Sequence, residues 1–268
     1  ILKDRNDKVE LKLILEKAIA NFPKIPDFKA EYALYLAETF EYKKAIALMN
    51  EAIIMSDKYE EVEPFVFKNE KINIAKSLIE NWRNLLESKI TITACVIVKN
   101  EEDNIKKWLD STGNYADELI VVDTGSSDKT LEIVQSSSAK LYHYDWNDNF
   151  AEAKNYAISK ATGDWIVFLD ADEYFTEESV LNVKNIISKN HNDFDAIMSI
   201  IINLDRDNNY NEIARFQNVR IFKNNIGIKY AGKIHEKITK DGKMKILVEN
   251  DSLQIIHTGY SSKIIVSK

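Results

Sequence analysis

Hydrophobic residues along the chain follow two different periods, and the change falls near residue 89. Before it, apolar residues recur at helical spacing with almost no glycine, which predicts helices that pack through one apolar face. After it, short apolar runs alternate with amphipathic stretches, as βα units require. The pattern therefore predicts a helical domain over residues 1–88 and an α/β domain over residues 89–268.

In the helical half, apolar and small residues recur with a period of 34 residues. The matched positions are Leu11, Leu15, Ala18 and Pro23, followed by Ala45, Met49, Ala52 and Asp57. This is the period of tetratricopeptide repeats, whose paired helices pack closely through small residues. A generic helical bundle supplies similar spacing and stays open as the alternative. A further helix is predicted near residues 66–86, packed against its neighbour through Trp82 and Leu85.

The second half is predicted to alternate strands with helices. In chain order, the pattern predicts strand 92–98, a helix that ends near residue 109, strand 119–122, helix 129–135, strand 139–144, helix 150–161 and strand 165–169. A polar hairpin or loop is predicted at residues 203–211. This order is typical of a parallel sheet whose ligands bind at the carboxyl ends of the strands.

The strand at residues 165–169 is wholly apolar and is followed at once by two acids, Asp170 and Asp172. Side chains two positions apart on an extended chain point the same way, so these carboxylates can converge on one divalent cation. Such a pair also arises by chance, and the acids then cap the helix that follows. Their position at the end of a central strand favours a site for metal and phosphate.

Composition narrows the class of ligand. The chain has 268 residues, 45% hydrophobic and 29% charged, with a formal net charge of -7 and a pI of about 5.3. No basic field is present to attract nucleic acid or an anionic membrane, and no apolar stretch is long enough for a transmembrane segment. The single cysteine, Cys95, lies in an apolar run, which favours a buried thiol and a cytoplasmic location. Because the chain begins with Ile1, it is interpreted as a fragment.

Several segments place polar residues at the predicted strand ends, in order, between about residues 90 and 260. They are ACVIVKNEE, IVVDTGSSDKT, DNFAEAKNYAI, GDWIVFLDADE, GKIHEKI and IIHTGYS. Together they resemble the glycosyltransferase family 2 enzymes, which use nucleotide sugars and have the GT-A fold. The similarity is greatest to the subgroup that includes lipopolysaccharide-core glucosyltransferases and bacterial peptide glycosyltransferases.

The resemblance implies a Rossmann-like GT-A sheet with helices on both faces, preceded by the tetratricopeptide-like helices. It implies a metal-dependent, inverting transfer from a nucleotide-diphosphate sugar, with a UDP-sugar favoured, to a protein, peptide or glycan acceptor. Mn²⁺ or Mg²⁺ is the expected cofactor. The helical domain could hold a polypeptide acceptor, form a homo-oligomer or cover the sheet, and these alternatives stay open.

Four residues are expected around the nucleotide in addition to the paired acids. Asp123 matches the family's nucleoside contact, although Thr124 replaces the second acid of many members and leaves the base preference open. Lys154 matches an arginine of the family; it keeps the positive charge but lacks the planar fork. A solvated helix charge is the equal alternative for Lys154. Asn100 and Glu102 are expected near the nucleotide, or else to close a turn and favour the next helix.

Three residues are expected at the metal. Asp172 is the predicted ligand, and Asp170 is expected to bind the metal directly or through water, or to contact the ribose. His257 is a further predicted ligand, and an imidazole favours Mn²⁺ over Mg²⁺. The alternative for His257 is a core histidine bonded to backbone.

An inverting transfer also needs a base that takes the proton of the attacking hydroxyl or thiol. The candidates are Glu236 and its neighbour His235, which point to opposite faces if the segment is extended. An exposed salt bridge is the alternative role for Glu236. The polar hairpin at residues 203–211 is predicted to border the acceptor.

Two other classes of function compete with this interpretation. A nucleotidyltransferase also binds metal on an α/β sheet, but residues 99–102 after the first strand are not a glycine-rich phosphate loop, and the chain has only 7 glycines. The other alternative is a catalytically inactive domain within a protein-interaction module. The joint presence of Asp170, Asp172 and His257 favours the enzyme.

Overall fold

The computed structural model describes residues 5–39, 41–58, 69–87, 89–233 and 236–260. The chain forms two compact units, Ile1–Ser88 and Lys89–Lys268. His235, one of the two candidate bases, lies outside the described residues, as does the end of the chain after residue 260. Within the described part, no helix is long and apolar enough to cross a membrane.

The first unit is helical, as its apolar period predicts. Its described helices are α1 (Arg5–Asn21), α2 (Pro26–Glu38), α3 (Tyr42–Lys58) and α4 (Asn69–Leu86). Helix α2 begins with a proline, whose fixed φ suits a first turn. Ala33 on α2 and Ala45 and Ala52 on α3 are fully buried, so these two helices pack closely through small residues. Trp82 is buried in the same cluster and Leu85 packs against it, which confirms the contact predicted for the last helix.

The second unit is α/β, which confirms the predicted fold class. Its elements are β1 (Ile92–Val98), α5 (Ile105–Thr112), β2 (Glu118–Asp123), α6 (Thr130–Gln135), β3 (Lys140–His143), α7 (Phe150–Lys160), β4 (Trp165–Phe168), β5 (Glu173–Phe175), α8 (Glu177–Asn190), β6 (Ala196–Asp205), β7 (Asn211–Lys223), β8 (Lys229–Ala231), β9 (Lys237–Thr239) and β10 (Ile246–Tyr260). The strand order in the main sheet is β3-β2-β1-β4-β7-β6-β10-β5, and β8 pairs with β9.

Three strands of the parallel half, β1, β2 and β4, are buried, and apolar residues lie on both of their faces. Strand β1 pairs in parallel with β2 on one side and β4 on the other, so the carboxyl ends of the three strands meet at one edge. Helix α7 packs its alanines against this half, in a cluster that contains Cys95, Ile120 and Ile166. Cys95 is fully buried, as predicted, and burial raises the pKa of its thiol.

Strand β7 joins the parallel half of the sheet to a mixed half, in which β6 and β10 are parallel and β5 is antiparallel to β10. It pairs with β6 along almost its whole length, through the polar hairpin predicted from the sequence. On its other side it pairs with β4 only from Ile221 to Lys223. The segment 211–218 therefore extends past the carboxyl end of β4, and all eight of its residues are exposed.

Candidate active site

The loops after β1 and β2 are held together by hydrogen bonds between them. Asn100 has a positive φ of 58°, and its side-chain oxygen accepts from the Ser127 N–H at 2.7 Å. The Glu102 N–H donates to Asp128 Oδ2 at 3.1 Å, and Glu102 Oε2 accepts from the Lys129 N–H at 3.0 Å. Asn100 and Glu102 thus join the two loops, whereas their neighbours Lys99 and Glu101 line the cavity described below. Contact of Asn100 and Glu102 with the nucleotide stays a prediction.

Asp123, at the end of β2, is buried and organises the turn that follows. Its carboxylate accepts from the N–H groups of Gly125 at 3.0 Å and Ser126 at 3.1 Å. Gly125 has a φ of 107°, a left-handed conformation that glycine adopts at little cost. His143 Nδ1 lies 3.5 Å from Asp123 Oδ2. A carboxylate retains further lone pairs, so this turn role leaves the predicted nucleoside contact open.

Lys154, on α7, is buried and held by two carboxylates. Its Nζ lies 2.9 Å from Asp170 Oδ1 and 2.8 Å from Glu236 Oε1, and 5.2 Å from the centre of the Tyr230 ring. Burial and the charge of Arg220 lower the pKa of Lys154, but Asp170, Tyr230 and Glu236 outweigh them and raise it, so the ammonium stays charged. Its interpretation as a solvated helix charge is therefore wrong.

Asp170 belongs to a network of ion pairs that extends into the sheet. Arg220, on β7, donates to both oxygens of Glu173 at 2.7 and 2.8 Å, and its Nη2 also lies 3.3 Å from Asp170 Oδ2. Glu173 Oε2 in turn accepts from the Asp170 N–H at 3.1 Å. Desolvation raises the pKa of Asp170, but Lys154 and Arg220 outweigh it and hold this pKa well below its ordinary value. Both carboxylate oxygens of Asp170 thus face cations.

Asp172 stands in different surroundings, next to His257 on β10. Asp172 Oδ2 lies 3.2 Å from His257 Nε2, and His257 Nδ1 lies 2.9 Å from the side-chain oxygen of Asn203. Burial lowers the pKa of His257, but the hydrogen bond with Asp172 and the charge of that carboxylate raise it overall. Gly259 makes room for the Asp172 carboxylate, because a Cβ there would lie 1.9 Å from Asp172 Oδ2 and 2.9 Å from His257 Nε2.

The geometry of Asp172 and His257 fits a divalent metal. Neighbouring ligands of an octahedral ion with bonds of about 2.1 Å lie about 3 Å apart, close to the observed separation. A proton on Nδ1, donated to Asn203, leaves the Nε2 lone pair for the metal. Among the described residues, no group of three or more such side chains is arranged to hold a metal, so phosphates and water would complete the shell. Direct ligation by Asp170 stays a prediction.

One cavity of about 720 Å³ lies at the carboxyl ends of the parallel strands, and Lys154, Asp170 and Asp172 line it, whereas Asp123 and His257 do not. Glu236 lies on its wall, half-buried and paired with Lys154, so the candidate base reaches the same space as the paired acids. An aromatic pair, Trp146 and Phe150, forms another part of the wall, with ring centres 4.8 Å apart. The polar side chains lining the cavity include Lys154, Asp170, Asp172, Asn218, Arg220 and Glu236.

Four residues of the site were not predicted from the sequence: Arg220, Glu173, Asn218 and Trp146. Arg220 and Asn218 lie on a strand some 50 residues from the paired acids, within a run that carries no local motif. Glu173 directly follows Asp172, and its burial depends on Arg220 packing over it. A charged residue inside the strand pattern of β7 was the available signal, since a strand arginine that faces the core needs a buried acid as its partner.

Comparison with known proteins shows which family this chain belongs to. The family model described as Glycosyl transferase family 2 matches residues 93–242. The SPbeta prophage-derived glycosyltransferase SunS of Bacillus subtilis is 29% identical over 176 residues, which cover 64% of this chain and 40% of that protein. An uncharacterized glycosyltransferase of Rickettsia bellii is 36% identical over 102 residues, 38% of this chain and 34% of that protein.

A third relative matches over a shorter segment. The TPR repeat-containing protein Synpcc7942_0270 of Synechococcus elongatus is 50% identical over 82 residues, 31% of this chain and 20% of that protein. Among solved structures, Staphylococcus aureus TarS 1-349 in complex with UDP-GlcNAc aligns with a TM-score of 0.49 and 17% identity, over 67% of this chain and 61% of that one. The chain spans less than half the length of the curated relatives described here. Because the family model covers more than half of the 268 residues, this protein belongs to glycosyl transferase family 2.

Proposed function

We propose that the second unit transfers a sugar, with inversion, from a nucleotide-diphosphate sugar to a hydroxyl or thiol of a polypeptide or glycan, with Mn²⁺ or Mg²⁺ as cofactor. The observation that carries this proposal is the pairing of Asp172 with His257 beside a cavity that also contains Lys154 and Glu236. A UDP-sugar is the favoured donor, because the Asp123 carboxylate can accept from the N3–H of uracil.

Asp172 and His257 would hold the metal, which neutralises the charge that develops on the departing diphosphate. Lys154 and Arg220 place two cations at the same site, but Asp170, Glu173 and Glu236 are paired with them. Since the chain as a whole is also acidic, the bound metal is what would supply the net positive charge that an anionic donor needs. Asp170 keeps the two cations in position. Because Asp172 follows it after one residue, the cations lie close to the proposed metal ligand.

Glu236 is the proposed base. Its carboxylate takes the proton of the acceptor hydroxyl or thiol; the oxygen or sulfur forms a bond to the anomeric carbon, and the nucleoside diphosphate leaves with the electron pair of the broken C–O bond. Lys154 bridges Glu236 and Asp170, so the base and the paired acids are held at a set distance. His235 stays a second candidate by its position in the chain.

The first test is thermal unfolding with UDP, GDP and dTDP, each with Mn²⁺ or with a chelator. A nucleotide at about 100 times its dissociation constant should stabilise the fold by about 2.7 kcal/mol. We expect UDP to raise the Tm only when metal is present, and the Asp172→Ala variant to lose that shift. Release of UDP from a UDP-sugar then measures turnover.

Two control variants make this test specific. Asp193→Ala removes an exposed acid on the surface and should keep the full nucleotide shift. Glu236→Gln should keep the nucleotide shift but lose turnover, because it removes the base and leaves the metal ligands in place. If no nucleotide raises the Tm under any condition, the catalytically inactive interaction module becomes the better account.

A further inference from the structure

Two neighbouring residues of α7 hold the chain that leads to the proposed base. Lys154 Nζ lies 2.8 Å from Glu236 Oε1. Asn155 bonds to the backbone of Tyr230, on β8. The Tyr230 N–H donates to Asn155 Oδ1 at 2.8 Å, and Asn155 Nδ2 donates to the Tyr230 backbone oxygen at 2.9 Å. One turn of a helix thus contacts this stretch at its beginning, through the backbone, and at Glu236, through an ion pair.

The amide of Asn155 takes the place of a neighbouring strand. Strand β8 pairs with β9, where Tyr230 lies opposite Ile238. A residue of an antiparallel strand can exchange both of its backbone hydrogen bonds with a single partner, and here the side chain of Asn155 makes both bonds. An amide suits this role because it carries a donor and an acceptor; a carboxylate lacks the donor, and an apolar side chain lacks both.

The ring of Tyr230 anchors the same point in the core. Tyr230 is 4% exposed, and its ring centre lies 5.3 Å from that of Phe168 and 6.2 Å from that of Phe222. Phe168 is the last residue of β4, directly before the segment that carries Asp170. Asn155 therefore ties the chain before Glu236 to the part of the core from which the paired acids project.

Asn155 lies outside the cavity whose groups it supports. The cavity wall includes Phe150, Lys154 and Glu236 but not Asn155. The Phe150 N–H donates to the Lys233 backbone oxygen at 3.3 Å, which is a third contact between α7 and the same stretch. An effect of Asn155 on the reaction would therefore pass through the chain that it holds, rather than through contact with the substrate.

We propose that Asn155 is a positioning residue for the transfer, because its two hydrogen bonds to Tyr230 set the place of the Glu236 carboxylate beside Lys154. This inference rests on the proposed function and adds a residue to it. A base must lie within hydrogen-bond reach of the proton that it takes, and a misplacement of about 1 Å can lower a rate about 100-fold. Lys154 alone would fix Glu236 less well, since its ammonium stands on a flexible stem.

The test replaces Asn155 with leucine, which is similar in size but has neither donor nor acceptor. UDP release from UDP-glucose and from UDP-GlcNAc is measured with Mn²⁺ on the full chain, with water as the acceptor. We expect Asn155→Leu to lower kcat about 100-fold, and to leave unchanged the KM for the donor and the Tm shift that UDP gives with Mn²⁺. Asn155→Asp keeps the bond from the Tyr230 N–H and should lose less of kcat; it serves the same comparison if Asn155→Leu does not fold.

Asn224→Leu is the matched control. Asn224 Nδ2 donates to the backbone oxygens of Ala161 at 3.0 Å and Gly163 at 2.9 Å, so this amide also holds two backbone groups. Asn224 is buried, and it does not line the cavity. Asn224→Leu should lower the Tm of the free protein, as Asn155→Leu does, but keep the kcat of the wild type.

The double variant Asn155→Leu with Glu236→Gln separates positioning from a general loss of structure. If Asn155 acts through Glu236, the double variant has the kcat of Glu236→Gln alone, because the base is already absent. Losses that multiply, an unchanged kcat in Asn155→Leu, or a loss of UDP binding that parallels the loss of kcat would each overturn the inference. No UDP release by the wild type, or full turnover by Glu236→Gln, would instead refute the proposed function.

Discussion

The two acids after β4 are separated by one residue, yet they belong to different parts of the molecule. Asp170 faces Lys154 and Arg220, so its charge is matched inside the protein. Asp172 pairs with His257 instead, and its carboxylate packs against Gly259. The comparison teaches that one acid of the motif is paired with two cations and the other with an imidazole, although their spacing in the sequence makes them look equivalent.

The largest effect is expected when Asp172 is changed to asparagine. Turnover should fall about 1000-fold, the effect of losing one centre that stabilises charge in the transition state, because the metal loses its anionic ligand. The free energy of unfolding without ligand should stay within about 0.5 kcal/mol, since Asp172 lies outside the network of Asp170. Steady-state UDP release and urea unfolding measure the two quantities. A variant that unfolds readily would place Asp172 in the structural network instead.

Arg220→Met tests the other side of the comparison. It leaves Glu173, which is only 1% exposed, without its cation, so the free energy of unfolding should fall by about 3 kcal/mol. The double variant Arg220→Met with Glu173→Leu should recover most of that loss, because it removes the buried charges together. Urea unfolding of both variants is the measurement. Equal stability of the single and double variants would show that the ion pair is not what holds β7 to this corner.

Gly259→Ala tests whether the position of the Asp172 carboxylate matters for metal binding. Its Cβ would overlap Asp172 Oδ2, so the carboxylate must shift, and metal affinity should fall about 10- to 100-fold. Titration of the nucleotide-induced Tm shift with Mn²⁺ measures this affinity. Val248→Ala on the same strand is the control and should leave the titration unchanged. An unaltered titration in Gly259→Ala would argue against metal binding between Asp172 and His257.

The smallest expected effect concerns the stability of the fold at low pH, which depends on Glu118 as well as on the acids of the site. Glu118, at the opposite end of β2 from Asp123, accepts hydrogen bonds from Lys140, Thr93 and the Thr162 N–H. Burial raises its pKa, but these bonds outweigh it and lower the pKa to about 2. Because the unfolded value is about 4.3, the ionised carboxylate stabilises the fold fully above that pH, and the stabilisation is lost as the pH falls towards 2.

Glu118→Gln should therefore lower the free energy of unfolding by about 1–2 kcal/mol at pH 7 and by progressively less below pH 4. Urea unfolding at pH 7, 4 and 3 measures the difference. Glu132→Gln, on the exposed side of α6, is the control and should follow the wild type at each pH. An effect of Glu118→Gln that does not change with pH would assign its role to packing rather than to charge.

Much of the α/β fold could be predicted because its signals are local. The apolar runs around Cys95, Val121 and Val167 became parallel strands, and the acids Asp123, Asp170 and Asp172 follow them as expected. The contacts among site residues could not be predicted in the same way. Lys154 looked equally suited to solvent, and only the packing of α7 against the sheet shows it buried between two carboxylates.

By itself, the sequence determined the two regions, the order of strands and helices from residue 92 to residue 169, and which acids stand at the strand ends, because the hydrophobic period and the polar residues that end a strand are properties of neighbouring residues. Only the tertiary structure decided that Arg220 binds Glu173 and Asp170, that Asp172 meets His257, and that β7 brings Asn218 to the cavity. Those outcomes depend on the insertion of β7 between β4 and β6. Pairing between strands far apart in the chain is set by the packing of the whole sheet, which no local pattern records.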